Sequence, residues 1–149
     1  MIRRDDQDLA ERVVSLVRSH LERRPEVNPV RQMADRVESD LAWLAASDIE
    51  VFHLYAFATL RQCGATAELA GSLCDWLAAR GFDTAASGDA FRRVAEKAKS
   101  VQFKLARLMA GRSVDLAPLF DEMAVDWDAA MDGVVAAAGL EVALPAQPI

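Results

Sequence analysis

The sequence predicts an all-α protein, built as an antiparallel bundle of about five helices. Alanine and leucine dominate the composition, while the β-branched residues are mostly scattered valines, and this mix favours helix over sheet. Apolar residues make up 52% of the 149 residues and charged residues 27%, which argues against a disordered chain. Glycine and proline cluster in a few short segments that separate stretches of helical periodicity. We expect a single domain over residues 1–144 and a flexible tail over residues 145–149.

The first two helices are predicted from an apolar face and a capping signal. The first should cover about residues 6–22, where apolar side chains and His20 share one face. The second should begin at Asn28, because asparagine is a good N-cap and Pro29 suits the first helical position. Its apolar stripe comprises Met33, Val37, Leu41 and Leu44.

The third predicted helix is the longest and the most apolar. It should begin with Asp48 as N-cap, run toward Arg80 and end at Gly81. Gly64 is a candidate for a kink in this helix.

The last two helices have the clearest periodicity. They should cover about residues 88–110 and 115–138, each followed by a glycine, and Pro118 is tolerated because it lies in a first turn. A short loop joins them, so they should pack antiparallel. Their apolar stripes are Phe91, Val94, Ala98, Val101, Leu105 and Leu108, and Leu116, Leu119, Met123, Trp127, Ala130 and Val134.

The composition disfavours several classes of protein. The formal net charge of −6 argues against a nucleic-acid binder, which usually has a basic excess. No apolar run approaches the roughly 20 residues that span a bilayer, and no apolar segment follows the N-terminal basic residues as in a secretory signal. Cys63 and Cys74 would lie roughly 16 Å apart along one helix, too far for a disulfide. We therefore expect reduced thiols, a cytoplasmic location and no membrane contact.

The sequence contains one weak metal-binding pattern. Glu50 and His53 form a Glu-x-x-His pair, the unit that di-iron bundles use twice together with two further carboxylates. The other histidine, His20, has Val17 in the place of the glutamate. We therefore expect no metal. Phosphate-binding loops, CxxC pairs, GxSxG and HExxH motifs are all absent from the sequence.

Polar side chains on the third helix suggest a candidate pocket. Glu50, His53, Arg61 and Glu68 project within one sector of roughly 80° on an otherwise apolar helix. They form either a solvent-facing edge with structural ion pairs or a small polar pocket. In a pocket, Arg61 should pair with Glu68 or Glu50, and His53 should face the same cavity. The candidate residues are Glu50, His53, Arg61, Gln62, Glu68 and Gln102, the last because it lies on an apolar stripe.

Charge is segregated between the last two helices. Between positions 92 and 112 there are seven basic residues and one acid, and from position 113 onward there are seven acids and no Lys or Arg. The two helices either neutralise each other or leave a basic face for an acidic partner, for which carrier proteins are one candidate. The candidate partner-binding residues are Arg93, Lys97, Lys104 and Arg107.

Four strings of the sequence resemble the C-terminal helical half of an uncharacterised bacterial family. They are residues 20–25 with Asn28 and Pro29, residues 52–62, residues 99–107, and residues 121–123 with Trp127 and Asp128. The resemblance covers roughly residues 18–133. Members of that family are often encoded beside amino acid:carrier-protein ligases, which are relatives of seryl-tRNA synthetases, and beside small carrier proteins.

This resemblance implies an accessory role in carrier-protein-dependent amino-acid or acyl transfer, within specialised-metabolite biosynthesis. The papain-like cysteine acyltransferase half of full-length members, with its Asn-Cys motif, has no match here, so the resemblance implies no transferase activity for this chain. No cofactor is expected beyond a phosphopantetheine arm presented by a partner. Three classes of function remain: a docking domain for an acidic carrier protein or catalytic subunit, a small acyl or aminoacyl transferase-like enzyme using Glu50, His53, Arg61 and Glu68, and a structural homo-oligomer.

Overall fold

The computed structural model describes residues 5–139, and these form a helical bundle. The helices are α1 (Asp5–Leu21), α2 (Pro29–Ala45), α3 (Ile49–Ala56), α4 (Gln62–Ala78), α5 (Ala85–Met109) and α6 (Ala117–Ala137). A π-helical turn, Phe57–Arg61, joins α3 to α4 without a break, so five helical rods result and the predicted all-α class is confirmed. The predicted tail over 145–149 lies outside the described residues. Across residues 5–139, no helix is both long enough and apolar enough to cross a membrane.

The predicted capping residues define the starts of α2 and α3. The side chain of Asn28 accepts a hydrogen bond from the Val30 N–H at 2.9 Å, and that of Asp48 accepts one from the Val51 N–H at 2.9 Å. Gly81, after α4, has a φ of 92°, a left-handed conformation that ends the helix at low cost only for glycine.

Helix α5 is the centre of the bundle, with α4 packed on one side and α6 on the other. Lys97 of α5 contacts Asp126 of α6, whereas Ser87 lies beside Gly133, so these two helices run antiparallel as expected. Helix α2 lies across α6, and the Asn28 amide fixes its start by donating to the Ala124 carbonyl at 2.9 Å. The largest fully buried apolar side chains in the core are Leu44, Leu60, Leu105 and Met123.

Small residues bring α4 and α5 into close contact. A Cβ on Gly64 would lie 3.6 Å from Ala98, and one on Gly88 would lie 3.3 Å from the Gly71 carbonyl oxygen. The contact at Gly64 would be an ordinary one, whereas the approach at Gly88 is too close for a larger residue without a shift of the helices. The backbone irregularity that we expected at Gly64 lies in the preceding turn, Phe57–Arg61.

Helix α1 covers the C-terminal end of α6. The Arg18 guanidinium donates to the Ala138 carbonyl oxygen at 2.9 and 2.7 Å, which places a cation where α6 leaves carbonyl groups unpaired. Leu21 packs against the same end of α6. The predicted apolar face of α1 is only partly used, because Leu9 and Leu16 are exposed.

Candidate functional site

The π-helical turn decides which of the predicted polar residues lie together. A π turn places one more residue in a turn than an α-helix does, so side chains after it are rotated by about 100° from the positions expected in a straight helix. Arg61 and Glu68 therefore face α5, whereas Glu50 and His53, which precede the turn, do not line the same groove. The single sector expected for these four side chains is not formed.

A groove of about 400 Å³ lies between the start of α4 and α5. Of the candidate pocket residues, Arg61, Glu68 and Gln102 line this groove. Gln62 is exposed and lies outside it. Lys99 completes the groove, and its Nζ lies 3.2 Å from Glu68 Oε1. Lys99 was not among the predicted pocket residues, although it is three residues before Gln102 and thus on the same side of α5.

The predicted pairing of Arg61 is wrong. Among the described residues the partner of Glu68 is Lys99, and the Arg61 guanidinium instead lies over the Phe57 ring, 5.9 Å from its centroid. The carboxylates of Glu68 and Glu96 hold the pKa of Lys99 above its usual value, chiefly through hydrogen bonds. Arg61 is thus left without an acidic partner in the part of the chain that the structure describes.

His53, unlike Arg61, does not line the groove. Its ring lies against Phe52 on the exposed side of α3, with ring centroids 5.5 Å apart. Glu50 is likewise exposed. Within residues 5–139, His, Cys, Asp and Glu side chains form no group of three that could hold a metal ion.

The predicted basic row divides into two parts with different surroundings. Arg93 Nε and Lys97 Nζ lie 2.8 and 2.6 Å from the carboxylate oxygens of Asp126 on α6. Arg93 and Lys97 are therefore neutralised within the chain. The sequence had left this open for the whole row, as the alternative to binding an acidic partner. Lys104 donates to the backbone carbonyl of Asp115 at 3.2 Å, while Arg107 has no ion pair among the described residues.

Asp126 is the acidic centre of the first part of the row. Burial disfavours its charged form, but hydrogen bonds from Lys97 and Arg93 outweigh that effect and hold the pKa of Asp126 below its ordinary value of 3.8. A carboxyl group with a depressed pKa stabilises the fold above its unfolded-state pKa, and this contribution is lost as the pH falls through the folded-state value.

We predict that Asp126→Asn lowers the free energy of unfolding by about 1–2 kcal/mol at pH 7, because two charge-assisted hydrogen bonds are weakened at a partly solvated site. The difference from the wild type should shrink below about pH 4. Urea unfolding at pH 7 and pH 3 measures both. Asp132→Asn is the control, since Asp132 is an exposed acid of the same helix. An equal loss of unfolding free energy in Asp132→Asn would show that the ion pairs of Asp126 are not the source of the stabilisation.

A large aromatic side chain lies on the exposed side of α5, next in sequence to the groove residue Gln102. Phe103 is 75% exposed, because it lies about 200° round α5 from the core residue Val101. Lys99 and Arg107 stand one turn before and one turn after it, on the same side of the helix. We call the surface formed by Arg61, Lys99, Gln102, Phe103 and Arg107 the Phe103 face. It combines an unburied aromatic ring with two arginines that have no acidic partner among the described residues and with Lys99, which Glu68 and Glu96 already pair. The sequence signal for it was an aromatic residue outside the apolar stripe.

Comparison with known proteins gives a family for this chain. The profile of the DUF1839 C-terminal domain matches residues 6–136, which include the Phe103 face. No curated protein matches the sequence, and no solved structure matches it.

Proposed function

We propose a docking function for this chain, which belongs to the DUF1839 C-terminal domain family. In this proposal the chain is an accessory helical domain of carrier-protein-dependent amino-acid or acyl transfer, and it binds an acidic carrier protein through the Phe103 face. One observation carries the proposal: Phe103 is three-quarters exposed and stands one helical turn before Arg107 on α5. Gln102, the residue before Phe103, lines the groove together with Arg61, and the described residues supply no carboxylate to Arg61 or Arg107.

The charges of the face support an acidic partner. Arg93 and Lys97 are already occupied by Asp126, so the part of the basic row that can meet a partner is its C-terminal part. There Arg107 lies on α5 and Arg61 lies across the groove from Lys99 and Gln102. Cations at the rim of an interface accelerate encounter with an acidic protein, and they do so less as salt screens them.

The exposed aromatic ring supports a protein partner in particular. Large aromatic side chains that become fully buried in an interface supply a disproportionate part of the binding energy. Phe103 would be such an anchor, and Arg61 and Arg107 would form the polar rim that surrounds it.

The carrier protein is chosen among acidic partners for two reasons. The resemblance noted above implies proteins that are often encoded beside amino acid:carrier-protein ligases and small carrier proteins, and carrier proteins are small acidic helical bundles. The groove next to Phe103 also suits a phosphopantetheine arm presented by such a partner, because Arg61 could bind its phosphate and Gln102 its amides.

The enzyme alternative has less support. An acyl or aminoacyl transferase-like site along Glu50, His53, Arg61 and Glu68 requires these groups to lie within hydrogen-bond reach of one another. Only Arg61 and Glu68 line the groove, and the carboxylate of Glu68 is bound to Lys99.

Titration of the full chain with holo acyl carrier protein, at low and high salt, tests the proposal. We predict that Phe103→Ala weakens binding by about 30-fold, as expected for an aromatic anchor worth about 2 kcal/mol. The double variant Arg61→Glu, Arg107→Glu should slow association and flatten its dependence on salt.

The matched control is Arg12→Glu, Arg23→Glu, which makes the same change in net charge at exposed positions of α1 and the turn that follows it. The control should bind like the wild type. Absence of binding, or an equal loss in the control, would refute docking at the Phe103 face.

A further inference from the structure

A second cavity, of about 280 Å³, opens between α2 and α4. Phe91 and Val94 of α5 and Trp127 of α6 contribute to its lining, together with Met33 of α2 and Cys63 of α4. It lies on the side of α4 opposite to the polar groove. Around the axis of α4, the cavity-lining residues Cys63 and Ala70 lie roughly 160° from the mean direction of the residues that line the groove. The cavity is therefore a separate feature from the Phe103 face.

We propose that this cavity is a binding site for a neutral hydrocarbon group of up to about ten carbon atoms, such as an alkyl chain. The size follows from its volume, which is roughly twice that of a 150 Å³ apolar cavity that accepts benzene. The neutral character follows from its lining, because no charged side chain contributes to it. A charged head group would lose its hydration there without gaining a partner.

The burial pattern around the cavity supports a site open to a ligand. Val30 and Val94 at its inner side are almost fully buried, at 3% and 1% exposed, whereas Met33 and Trp127 of the same wall are only partly buried. A concave, mostly apolar space with an opening to solvent is the usual form of a small-molecule site. Trp127 lies on the predicted apolar stripe of α6, and an occupant would complete its burial.

The cysteine in the wall favours binding without covalent chemistry. Burial raises the pKa of the Cys63 thiol, so the thiol stays protonated and weakly nucleophilic at neutral pH. The Cys63 thiol can instead report on binding, because a ligand in the cavity should shield it from alkylation. Cys74 is 3% exposed and does not line the cavity.

The first test follows Trp127 fluorescence in the Trp43→Phe, Trp76→Phe background while 1-octanol is added. We expect a saturable change, and at least tenfold weaker binding of octanoate because its carboxylate must be desolvated. Ala70→Leu, which fills the cavity, should abolish the response. Ala129→Leu is the matched control at an exposed position of α6 and should keep it.

The second test does not depend on the folding of a filled variant. In the Cys74→Ser background, 1-octanol should slow alkylation of Cys63 by N-ethylmaleimide at the concentrations that saturate Trp127. A linear fluorescence response, octanoate binding as tightly as octanol, or no protection of Cys63 would overturn the proposal. Phe103→Ala should bind octanol normally, which separates this site from the docking surface. A fluorescence response of Trp127 to carrier protein but not to octanol would mean that a protein side chain occupies the cavity. That result would also overturn the hydrocarbon-site proposal.

Discussion

Leu105→Ala is expected to lower the free energy of unfolding by about 2–5 kcal/mol. Leu105 is fully buried in α5, the helix on which the rest of the bundle packs, and it belongs to the main apolar core. The truncation removes apolar contacts and leaves a cavity that the surrounding helices can only partly close. Urea unfolding followed by circular dichroism measures the effect.

Leu69→Ala is the matched control for this truncation. Leu69 is 72% exposed on α4, so the same loss of side-chain atoms should change the free energy of unfolding by less than about 0.5 kcal/mol. Similar losses in the two variants would mean that α5 is not the centre of the core.

Gly88→Val is expected to destabilise the protein by about 1–3 kcal/mol or more. A Cβ at this position would lie 3.1 Å from Asp75 Oδ1, 3.2 Å from Cys74 Cβ and 3.3 Å from the Gly71 carbonyl oxygen. The last of these is backbone, which cannot move aside without separating α4 from α5, and a branched side chain adds further overlap.

Valine has a higher helix propensity than glycine, so propensity alone would not destabilise Gly88→Val and a loss there reports overpacking. Ala106→Val introduces the same side chain at an exposed position of α5, where propensity alone should cost roughly 0.5 kcal/mol. Thermal unfolding of both variants gives the comparison. A stability of Gly88→Val equal to or above that of Ala106→Val would contradict close packing of α4 on α5.

Features that depend on local chemistry could be predicted from the sequence. Asn28 and Asp48 cap their helices because a short side-chain acceptor can reach the first free N–H groups wherever the tertiary fold places them. Gly81 and Gly111 end helices because glycine adopts positive φ values without strain. The stripes of α5 and α6 were also predicted, since strong periodicity leaves one face to bury.

The arrangement of the polar line could not be predicted in full. The prediction assumed 100° per residue from Glu50 to Glu68, and no residue type within Phe57–Arg61 signals a π-helical turn. The turn separates Glu50 and His53 from Arg61 and Glu68. Gln102 was singled out because it is a polar residue on an apolar stripe, and it lines the groove between α4 and α5.

The pairing of charges depends on which helices meet, which the sequence does not specify. Asp126 binds Arg93 and Lys97 because α6 runs antiparallel beside that part of α5. Phe103 is different, since its position off the stripe of Val101 and Leu105 already predicts an exposed ring. Phe103 was not predicted as a site residue, and it was named only within residues 99–107, which resemble the family.

The central claim is that the Phe103 face binds an acidic carrier protein, and the most direct test needs no substitution. Backbone amide chemical shifts of the ¹⁵N-labelled full chain are recorded while unlabelled holo acyl carrier protein is added. The claim predicts that the largest shifts fall on residues 57–61 and 99–107, and that they diminish at high salt. The absence of shifts at millimolar carrier protein, or shifts centred on α1 or on the Asp126 side of α5, would contradict it.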